Sequence, residues 1–246
     1  PNQQVTPTVQ CARTAATGES GRRLAALMIA SANSRIGAIS GPDSIYVAVD
    51  DPERARDLAQ HRVAGEVRDP QRAIAELDEV LGTDPSATPS FEQVPKLRYL
   101  RRVVDETLRL WPTAPGFARS PRETTTIGAD GSAGVPGGLR MTPEDKVLVF
   151  IPLLHRDPQV WPDPERFDPD RFLPEHIRAR PAHAYKPFGT GERACIGRQF
   201  ALHESVIVLA KLLHRFDLTP EPGYELTITE RLTLMPVGFR VGLTRR

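Results

Sequence analysis

Apolar residues recur at steps of three and four along three segments of the chain, which is the spacing of one helix face. The predicted helices span residues 70–81, 97–110 and about 196–214. Gly82 follows the first of them, as glycine often does at the end of a helix. In the third segment, apolar residues occupy most of the helix circumference, so we expect this helix to be buried.

Shorter segments predict strands and loops around these helices. Alternation of apolar and polar residues, or a short apolar run between turn residues, predicts strands at residues 45–49, 124–127, 146–151, 225–229, 232–234 and 239–243. Residues 155–190, called here the proline-rich segment, contain seven prolines. A loop of that length in a compact domain is usually functional or wrapped tightly onto something. The pattern as a whole predicts a mainly α fold with small β elements.

The beginning of the chain has a different texture. Residues 1–52 contain few periodic apolar positions, and we interpret them as an irregular or non-native segment. Pro52 suits the first turn of a helix running to about Val67, because its missing N–H costs nothing there. The predicted domain therefore covers residues 53–246.

The composition is that of an ordinary globular chain and argues against several classes of protein. Of the 246 residues, 39% are hydrophobic and 26% are charged, and the net charge is +1. No block of like charges indicates nucleic-acid binding, and no apolar run approaches the roughly 18 residues that cross a bilayer. Residues 1–21 lack the basic-then-apolar order of a secretory signal. We therefore expect a soluble, cytoplasmic protein with neither a nucleic-acid nor a membrane partner.

The chain has two cysteines, Cys11 and Cys195, and the second lies in an informative setting. It follows two glycines and a basic residue and opens the third predicted helix. The positive end of that helix favours a thiolate over a thiol, and the first N–H groups of the helix can donate to the sulfur. Gly197 has no side chain to obstruct a backbone or a cofactor. Such a sulfur suits a strongly donating axial bond to iron.

Two other interpretations of Cys195 stay open on these residues alone. A lone cysteine is most often a small buried apolar residue. A nucleophilic cysteine, as in a cysteine-dependent hydrolase, would need a nearby base. His183 and His203 are candidates for that base by sequence distance, and nothing in the sequence places either one beside the sulfur.

Three motifs bear on the choice. Residues 188–197, called here the cysteine loop, read Phe188-x-x-Gly191-x-Arg193-x-Cys195-x-Gly197. Upstream lie Glu106-x-x-Arg109 and the segment 167–172, which contains Arg171. In this order and spacing they resemble the haem-binding signature, the Glu-x-x-Arg pair and the following arginine segment of the cytochrome P-450 family.

Within that family, the chain resembles the bacterial fatty-acid hydroxylases whose haem domain is fused to a diflavin reductase. It runs from about residue 61 to residue 243 and is carried by residues 110–115, 155–157, 194–204 and 232–236. The resemblance implies the C-terminal part of the P-450 fold, with haem b as cofactor. It also implies hydroxylation of a hydrophobic substrate, a fatty acid in those relatives, with dioxygen and electrons from an NAD(P)H-linked reductase. Because the chain ends at Arg246 without a flavin domain, we expect that reductase to be a separate protein.

The resemblance assigns a role to each matched residue of the cysteine loop. Cys195 would be the axial ligand of the haem iron, and its thiolate would favour breaking the O–O bond. Arg193 would pair with a haem propionate, and Phe188 would shield the sulfur from water. Gly191 and Gly197 would belong to the same cofactor-binding loop.

Residues outside the loop would have structural or substrate roles. Glu106, Arg109 and Arg171 would form a cluster that holds the cysteine loop, whereas an isolated pair of this kind would be an ordinary surface ion pair. His155 would order its own loop. The segments that line the substrate pocket in the relatives match Thr113, Ala114, Pro115, Leu232, Thr233 and Leu234, although plain core packing explains these side chains nearly as well.

One family feature is missing from residues 1–60. Members carry an Ala/Gly-Gly-x-Asp/Glu-Thr segment on a helix over the distal haem face, where it assists proton delivery to bound oxygen. The nearest match, residues 40–44, contains Pro42, which would interrupt a helix. The alternative function is therefore an inactive remnant of such an enzyme, truncated or frame-shifted, in which residues before about 55 are not native to the fold.

Overall fold

A computed structural model of the chain shows how these segments are arranged. It describes residues 36–41, 44–49, 70–129, 137–224, 226–230 and 233–246. The helix predicted from Pro52 to about Val67 and the pocket residue Leu232 lie outside the described residues. Among the described helices, none is both long and apolar enough to cross a membrane.

All three predicted long helices are confirmed. They are α1 (Pro70–Leu81), α2 (Arg98–Leu110) and α5 (Arg198–Arg215). Two short helices, α3 (Ile151–Leu154) and α4 (Pro174–Ala179), lie between α2 and α5. Single 3-10 turns occupy Val94–Lys96, Pro169–Phe172 and Gly191–Arg193.

The described strands form five antiparallel pairs, and each pair is a small two-stranded sheet. The pairs are β1 (Ile36–Gly41) with β2 (Ser44–Val49), β3 (Gly116–Arg119) with β6 (Val147–Phe150), β4 (Thr125–Ile127) with β5 (Leu139–Met141), β7 (Phe216–Pro220) with β10 (Val241–Arg245), and β8 (Ile228–Glu230) with β9 (Leu234–Pro236). The mainly α fold with small β elements is confirmed.

The hairpin of β1 and β2 lies inside residues 1–52, which we expected to be irregular apart from a strand at 45–49. That strand is present, but its partner Ile36–Gly41 was missed. The partner is built largely from glycine, alanine and serine, which give no alternation of apolar and polar side chains. Only the pairing itself reveals it as a strand. The domain boundary at residue 53 stays a prediction.

The hydrophobic core lies where α1, α2 and α5 meet. Each helix contributes one stripe of side chains, together with the turn that leads into α2. The buried members are Ala73, Leu77, Val94, Leu97, Tyr99, Leu100, Val104, Leu202, Val206 and Ala210. Leu77 is fully buried, and burying one such leucine contributes about 1.5–3 kcal/mol. The core therefore holds α5, which directly follows the cysteine loop, against α2.

Helix α5 is buried on one face only, which corrects the expectation that it is buried all round. Leu202, Val206 and Ala210 follow the four-residue step and face the core. Phe200 is 72% exposed and Val208 is 49% exposed. The difference arises because no described residue covers the face that carries these two side chains.

The proline-rich segment packs onto the protein rather than extending into solvent. Trp161 and Phe172 are buried, and the ring of Tyr185 meets Phe172 with centroids 4.8 Å apart. The Arg180 guanidinium lies 3.9 Å from the centre of the Trp161 ring, a cation–π contact. The expectation of a long loop wrapped tightly onto something is met by this aromatic cluster, which lies beside the C-terminal half of α2.

Candidate functional site

A fully buried ion pair lies on the inner face of α2. The side chains of Glu106 and Arg109 are both 0% exposed. Nε of Arg109 donates to Oε2 of Glu106 at 2.7 Å, and Nη2 donates to Oε1 at 2.8 Å. This bidentate geometry is the strong form of an arginine–carboxylate contact. The alternative of a surface ion pair is therefore excluded for these two residues.

Arg109 also binds the backbone of the proline-rich segment. Nη1 donates to the carbonyl oxygens of His155 at 2.9 Å and Pro164 at 2.7 Å, and Nη2 donates to that of Arg166 at 3.1 Å. With the two bonds to Glu106, all five N–H donors of the guanidinium are used. One side chain on α2 thus holds two separate parts of the loop.

Arg171 completes the group that the sequence predicted. Its Nε lies 3.5 Å from Oε1 of Glu106, an ion pair longer than a direct hydrogen bond. Its Nη2 donates to the carbonyl oxygen of Asp163 at 2.8 Å, and the Asp168 N–H donates to the same Glu106 oxygen at 2.8 Å. Burial, followed by the positive charge of Arg109, lowers the pKa of Arg171. The structure brings all three predicted residues together.

His155 connects this cluster to the start of the cysteine loop. The ring is 0% exposed, and its Nδ1 lies 3.1 Å from the carbonyl oxygen of Arg109. Its Nε2 lies 2.8 Å from the backbone nitrogen of Lys186. Burial lowers the pKa of His155 to about 3, and the charges of Arg109 and Arg156 add to this effect. The ring is therefore neutral near pH 7.

Tyr185 makes a second connection to α2. Its hydroxyl donates to the backbone carbonyl oxygen of Asp105 at 2.9 Å and lies 3.2 Å from the carboxylate of the same residue. Burial and the Asp105 carboxylate raise the pKa of the Tyr185 phenol well above its usual value. Tyr185 and Lys186 are thus adjacent residues that are both bonded to groups fixed by α2.

The cysteine loop is closed by its own backbone. The Cys195 N–H donates to the carbonyl oxygen of Phe188 at 2.9 Å, and the Ala194 N–H donates to that of Gly191 at 3.0 Å. Gly191 has a φ of +70°, a conformation that side-chain-bearing residues rarely adopt. Phe188 packs against the core at one end of the loop. At the other end, α5 begins at Arg198, three residues after the cysteine.

Cys195 lies in this closed loop with an exposed side chain and forms no disulfide. An added Cβ on Gly197 would sit 3.8 Å from its sulfur and touch nothing else nearby. Two large apolar residues beside it are also exposed, Ile196 completely and Phe200 at 72%. The structure therefore presents an exposed cysteine among exposed apolar side chains, in a loop whose first residue, Phe188, packs against the core. The alternative of a small buried cysteine is excluded.

The comparison with protein families agrees with this arrangement. The family model for cytochrome P-450 matches residues 70–243. The chain belongs to the cytochrome P-450 family.

Individual P-450 relatives share almost half of their aligned residues with this chain. A bifunctional cytochrome P-450/NADPH–P-450 reductase of Bacillus subtilis (strain 168) is 47% identical over 177 residues, and its counterpart from Bacillus cereus is 46% identical. A self-sufficient cytochrome P-450 monooxygenase of Aspergillus niger is 41% identical over 181 residues. In each case the match covers 72% of this chain and 16% of the relative.

A solved structure shows the same fold. The crystal structure of the cytochrome P-450 CYP102L1 is 44% identical and superposes with a TM-score of 0.67. The match covers 78% of this chain and 41% of that structure. The chain thus contains part of the P-450 fold and about one sixth of the length of the curated relatives it matches.

Membership of the P-450 family implies a haem cofactor, and the residues around Cys195 fit one. A cysteine sulfur is a soft donor of the kind that binds haem iron. The exposed apolar side chains of Ile196 and Phe200 offer the surface that a flat, mostly apolar group would cover. Arg193 is exposed in the same loop and is available for an anionic substituent. Donor, surface and charge therefore agree with the implied group.

The two segments predicted to line a substrate pocket meet in the structure. The Leu234 N–H donates to the carbonyl oxygen of Thr113 at 2.9 Å. Thr113 and Ala114 are exposed, while Pro115, Thr233 and Leu234 are partly exposed. Plain core packing therefore does not explain these five residues.

Several residues that shape the site were not predicted. Tyr185 bonds to α2, and Lys186 bonds to the ring of His155. Trp161 and Arg180 belong to the aromatic cluster beside Arg109. The one available signal was the presence of large aromatic residues in a proline-rich segment, where solvent-exposed loops have few. The candidate bases have other contacts: His183 lies against Lys186, and the His203 ring meets Phe91.

Proposed function

We propose that this chain acts as a haem-thiolate monooxygenase, hydroxylating a hydrophobic substrate with dioxygen and with electrons supplied by a reductase. One observation carries the proposal. The exposed Cys195 sulfur projects from a loop whose preceding residues are bonded to the buried Glu106–Arg109 region. Such a design holds a metal-binding sulfur in place while leaving its outer side free for a ligand.

In this proposal each residue of the cysteine loop has a defined task toward haem b. Cys195 would supply the thiolate that holds the haem iron, and Arg193 would pair with a haem propionate. Phe188, packed against the core, limits the access of water to the sulfur from behind. Gly191 allows the tight turn, and Gly197 leaves space beside the sulfur. When bound, the haem would supply the dioxygen-activating chemistry, and electron donation from the Cys195 thiolate would favour O–O cleavage.

The substrate and the electron source are proposed from the relatives. Two of them are named as fusions of a cytochrome P-450 with an NADPH–P-450 reductase. We propose an NAD(P)H-linked reductase as the electron source. The proposed substrate is a fatty acid or similar oily molecule, positioned by Thr113, Ala114, Pro115, Thr233 and Leu234, with Leu232 next to them in sequence. A cytoplasmic location stays a prediction.

Carbon monoxide binding tests the proposed ligation. The full chain is reconstituted with haem, reduced and exposed to carbon monoxide, and the Soret band is recorded. We expect the strongly red-shifted band of a thiolate-ligated ferrous complex. It should disappear in Cys195→Ala and persist in Cys11→Ala, the matched control at the other cysteine. An unshifted band in the unmodified chain, or a shifted band in Cys195→Ala, contradicts the assignment.

Turnover then separates an active enzyme from the alternative of an inactive remnant. The haem-loaded chain is mixed with a P-450 reductase, NADPH and a long-chain fatty acid, and hydroxylated product is measured. Product formation supports the monooxygenase. Thiolate ligation without product favours a non-catalytic haem protein, the outcome suggested by the missing acid–threonine segment in residues 1–60.

A further inference from the structure

The two hydrogen bonds of His155 determine which of its ring nitrogens carries the proton. A backbone carbonyl oxygen only accepts, so Nδ1, which faces the carbonyl of Arg109, must carry the hydrogen. A backbone N–H only donates, so Nε2, which faces the nitrogen of Lys186, must present its lone pair. Only the neutral ring with hydrogen on Nδ1 makes both bonds. Burial and the neighbouring Arg109 and Arg156 hold the ring neutral, since they lower the pKa of His155 to about 3.

Lys186, the residue that His155 binds, is the last residue before the cysteine loop that has a backbone N–H. Pro187 follows Lys186, and proline has no N–H and a fixed φ of about −65°. Phe188 comes next, and its carbonyl oxygen accepts the hydrogen bond from the Cys195 N–H at 2.9 Å. The Gly189 N–H donates back to the Lys186 carbonyl oxygen at 3.1 Å. A displacement of Lys186 would therefore pass through a stiff connection to the backbone of Cys195.

We infer that His155 is a positioning residue for the axial sulfur, acting through the bond from the Lys186 N–H to its Nε2. The inference rests on the proposed haem-thiolate function and deepens it. The Arg109 carbonyl orients the ring, the ring holds Lys186, and Lys186 sets where the cysteine loop begins. The hydrogen bonds and ring contacts of His155 go to Arg109, Lys186, Trp161 and Tyr185 and not to Cys195, so it acts on the sulfur only through the backbone.

Two substitutions of His155 test the hydrogen bonds of its two ring nitrogens separately. In His155→Gln the side-chain amide can place its oxygen near the former Nε2 and accept from the Lys186 N–H. In His155→Asn the shorter amide can place its nitrogen near the former Nδ1 and donate to the Arg109 carbonyl, but it does not reach Lys186. Both variants replace the buried ring with a smaller amide, and they differ by one methylene and in which of the two ring hydrogen bonds they can keep.

The first readout is the ferrous carbon monoxide spectrum of the haem-loaded full chain. We expect His155→Gln to keep the thiolate-ligated form as the main species. In His155→Asn the ratio of thiolate to non-thiolate form should fall by about tenfold or more, because a buried N–H has lost its acceptor. An unchanged ratio in His155→Asn, or an equal fall in both variants, overturns the inference.

The second readout needs no cofactor. Hydrogen exchange of the Lys186 amide, measured by NMR on the haem-free chain, should be slow in the unmodified protein and in His155→Gln. It should be about tenfold faster or more in His155→Asn. Equal exchange in all three proteins overturns the inference even if the spectra differ. If the unmodified chain shows no thiolate band, the proposed function fails, and Lys186 exchange still decides whether His155 anchors the loop.

Discussion

Replacing Arg109 with lysine tests how much the buried guanidinium contributes to holding the site. The substitution keeps the positive charge beside Glu106 but changes the number of hydrogen-bond donors. Arginine uses all five N–H groups here, on both oxygens of Glu106 and on the carbonyl oxygens of His155, Pro164 and Arg166. A lysine ammonium has three donors on a single atom, so at least two of the five contacts are lost.

The cost follows from the burial of the acceptors. Glu106 and His155 are completely buried, so water does not readily replace the missing donors. A buried polar group without a partner costs about 1–3 kcal/mol, and two of them give a loss of about 2–6 kcal/mol in the free energy of unfolding. A typical domain has a stability of about 5–15 kcal/mol. Arg109→Lys should therefore remove a large share of the stability without any loss of formal charge.

Urea unfolding followed by tryptophan fluorescence measures this loss, since Trp161 is buried with its ring centre 5.2 Å from the Arg109 guanidinium. The matched control is Arg101→Lys on the same helix. Arg101 is partly exposed and pairs with Asp105 one turn away, a contact that lysine can also make. Its effect should stay within about 0.5 kcal/mol. A change below about 1 kcal/mol in Arg109→Lys would refute the reasoning.

Three further predictions concern His155, Tyr185 and the core residue Leu77. The folded-state pKa of His155 is about 3, below its ordinary 6.5, so the unfolded chain binds more protons between these values and stability falls as the pH falls through that window. The free energy of unfolding should fall by up to about 1.4 kcal/mol per pH unit. When it is measured by urea unfolding between pH 6.5 and 5, this dependence on pH should be weaker in His155→Gln. Tyr185→Phe should lower the free energy of unfolding by about 1 kcal/mol in urea titrations, because its hydroxyl loses the bond to the Asp105 carbonyl. Leu77→Ala should cost about 2–5 kcal/mol in the same assay, whereas Ile177→Ala, at an exposed position, should cost about 0.5 kcal/mol or less.

The helices were predictable because each presents a repeating stripe to one core. Leu77, Leu100 and Val206 lie on such stripes, and their spacing is visible in the sequence. The sequence pattern did not predict strands β3 and β5, because strands of three or four residues are defined by the partner with which they pair. The exposed face of α5 was also unpredictable. Hydrophobicity indicates which side chains prefer to be covered, but it does not indicate whether anything covers them.

The residues of the candidate site also divide into those that the sequence predicts and those that it does not. The pairing of Glu106 with Arg109 could be predicted because the two side chains carry opposite charges one helical turn apart. The other partners of Arg109 could not, because they are backbone carbonyl groups 46, 55 and 57 residues away. Every residue type has a carbonyl group, so no choice of side chain in the loop records which carbonyl is used.

This difference has a consequence for how the sulfur is held. Several hydrogen bonds that fix the loop beside α2 run from a side chain to the backbone: Arg109 donates to three loop carbonyls, His155 bonds to one carbonyl and one N–H, and Tyr185 donates to one carbonyl. Pro164 has no N–H to donate, but its carbonyl oxygen accepts one of these hydrogen bonds. A proline at this position therefore loses no contact of the network. Backbone groups move only when the chain path moves. A network anchored on them therefore resists displacement of the loop as a whole, and it tolerates changes of loop side chains that take no part in it.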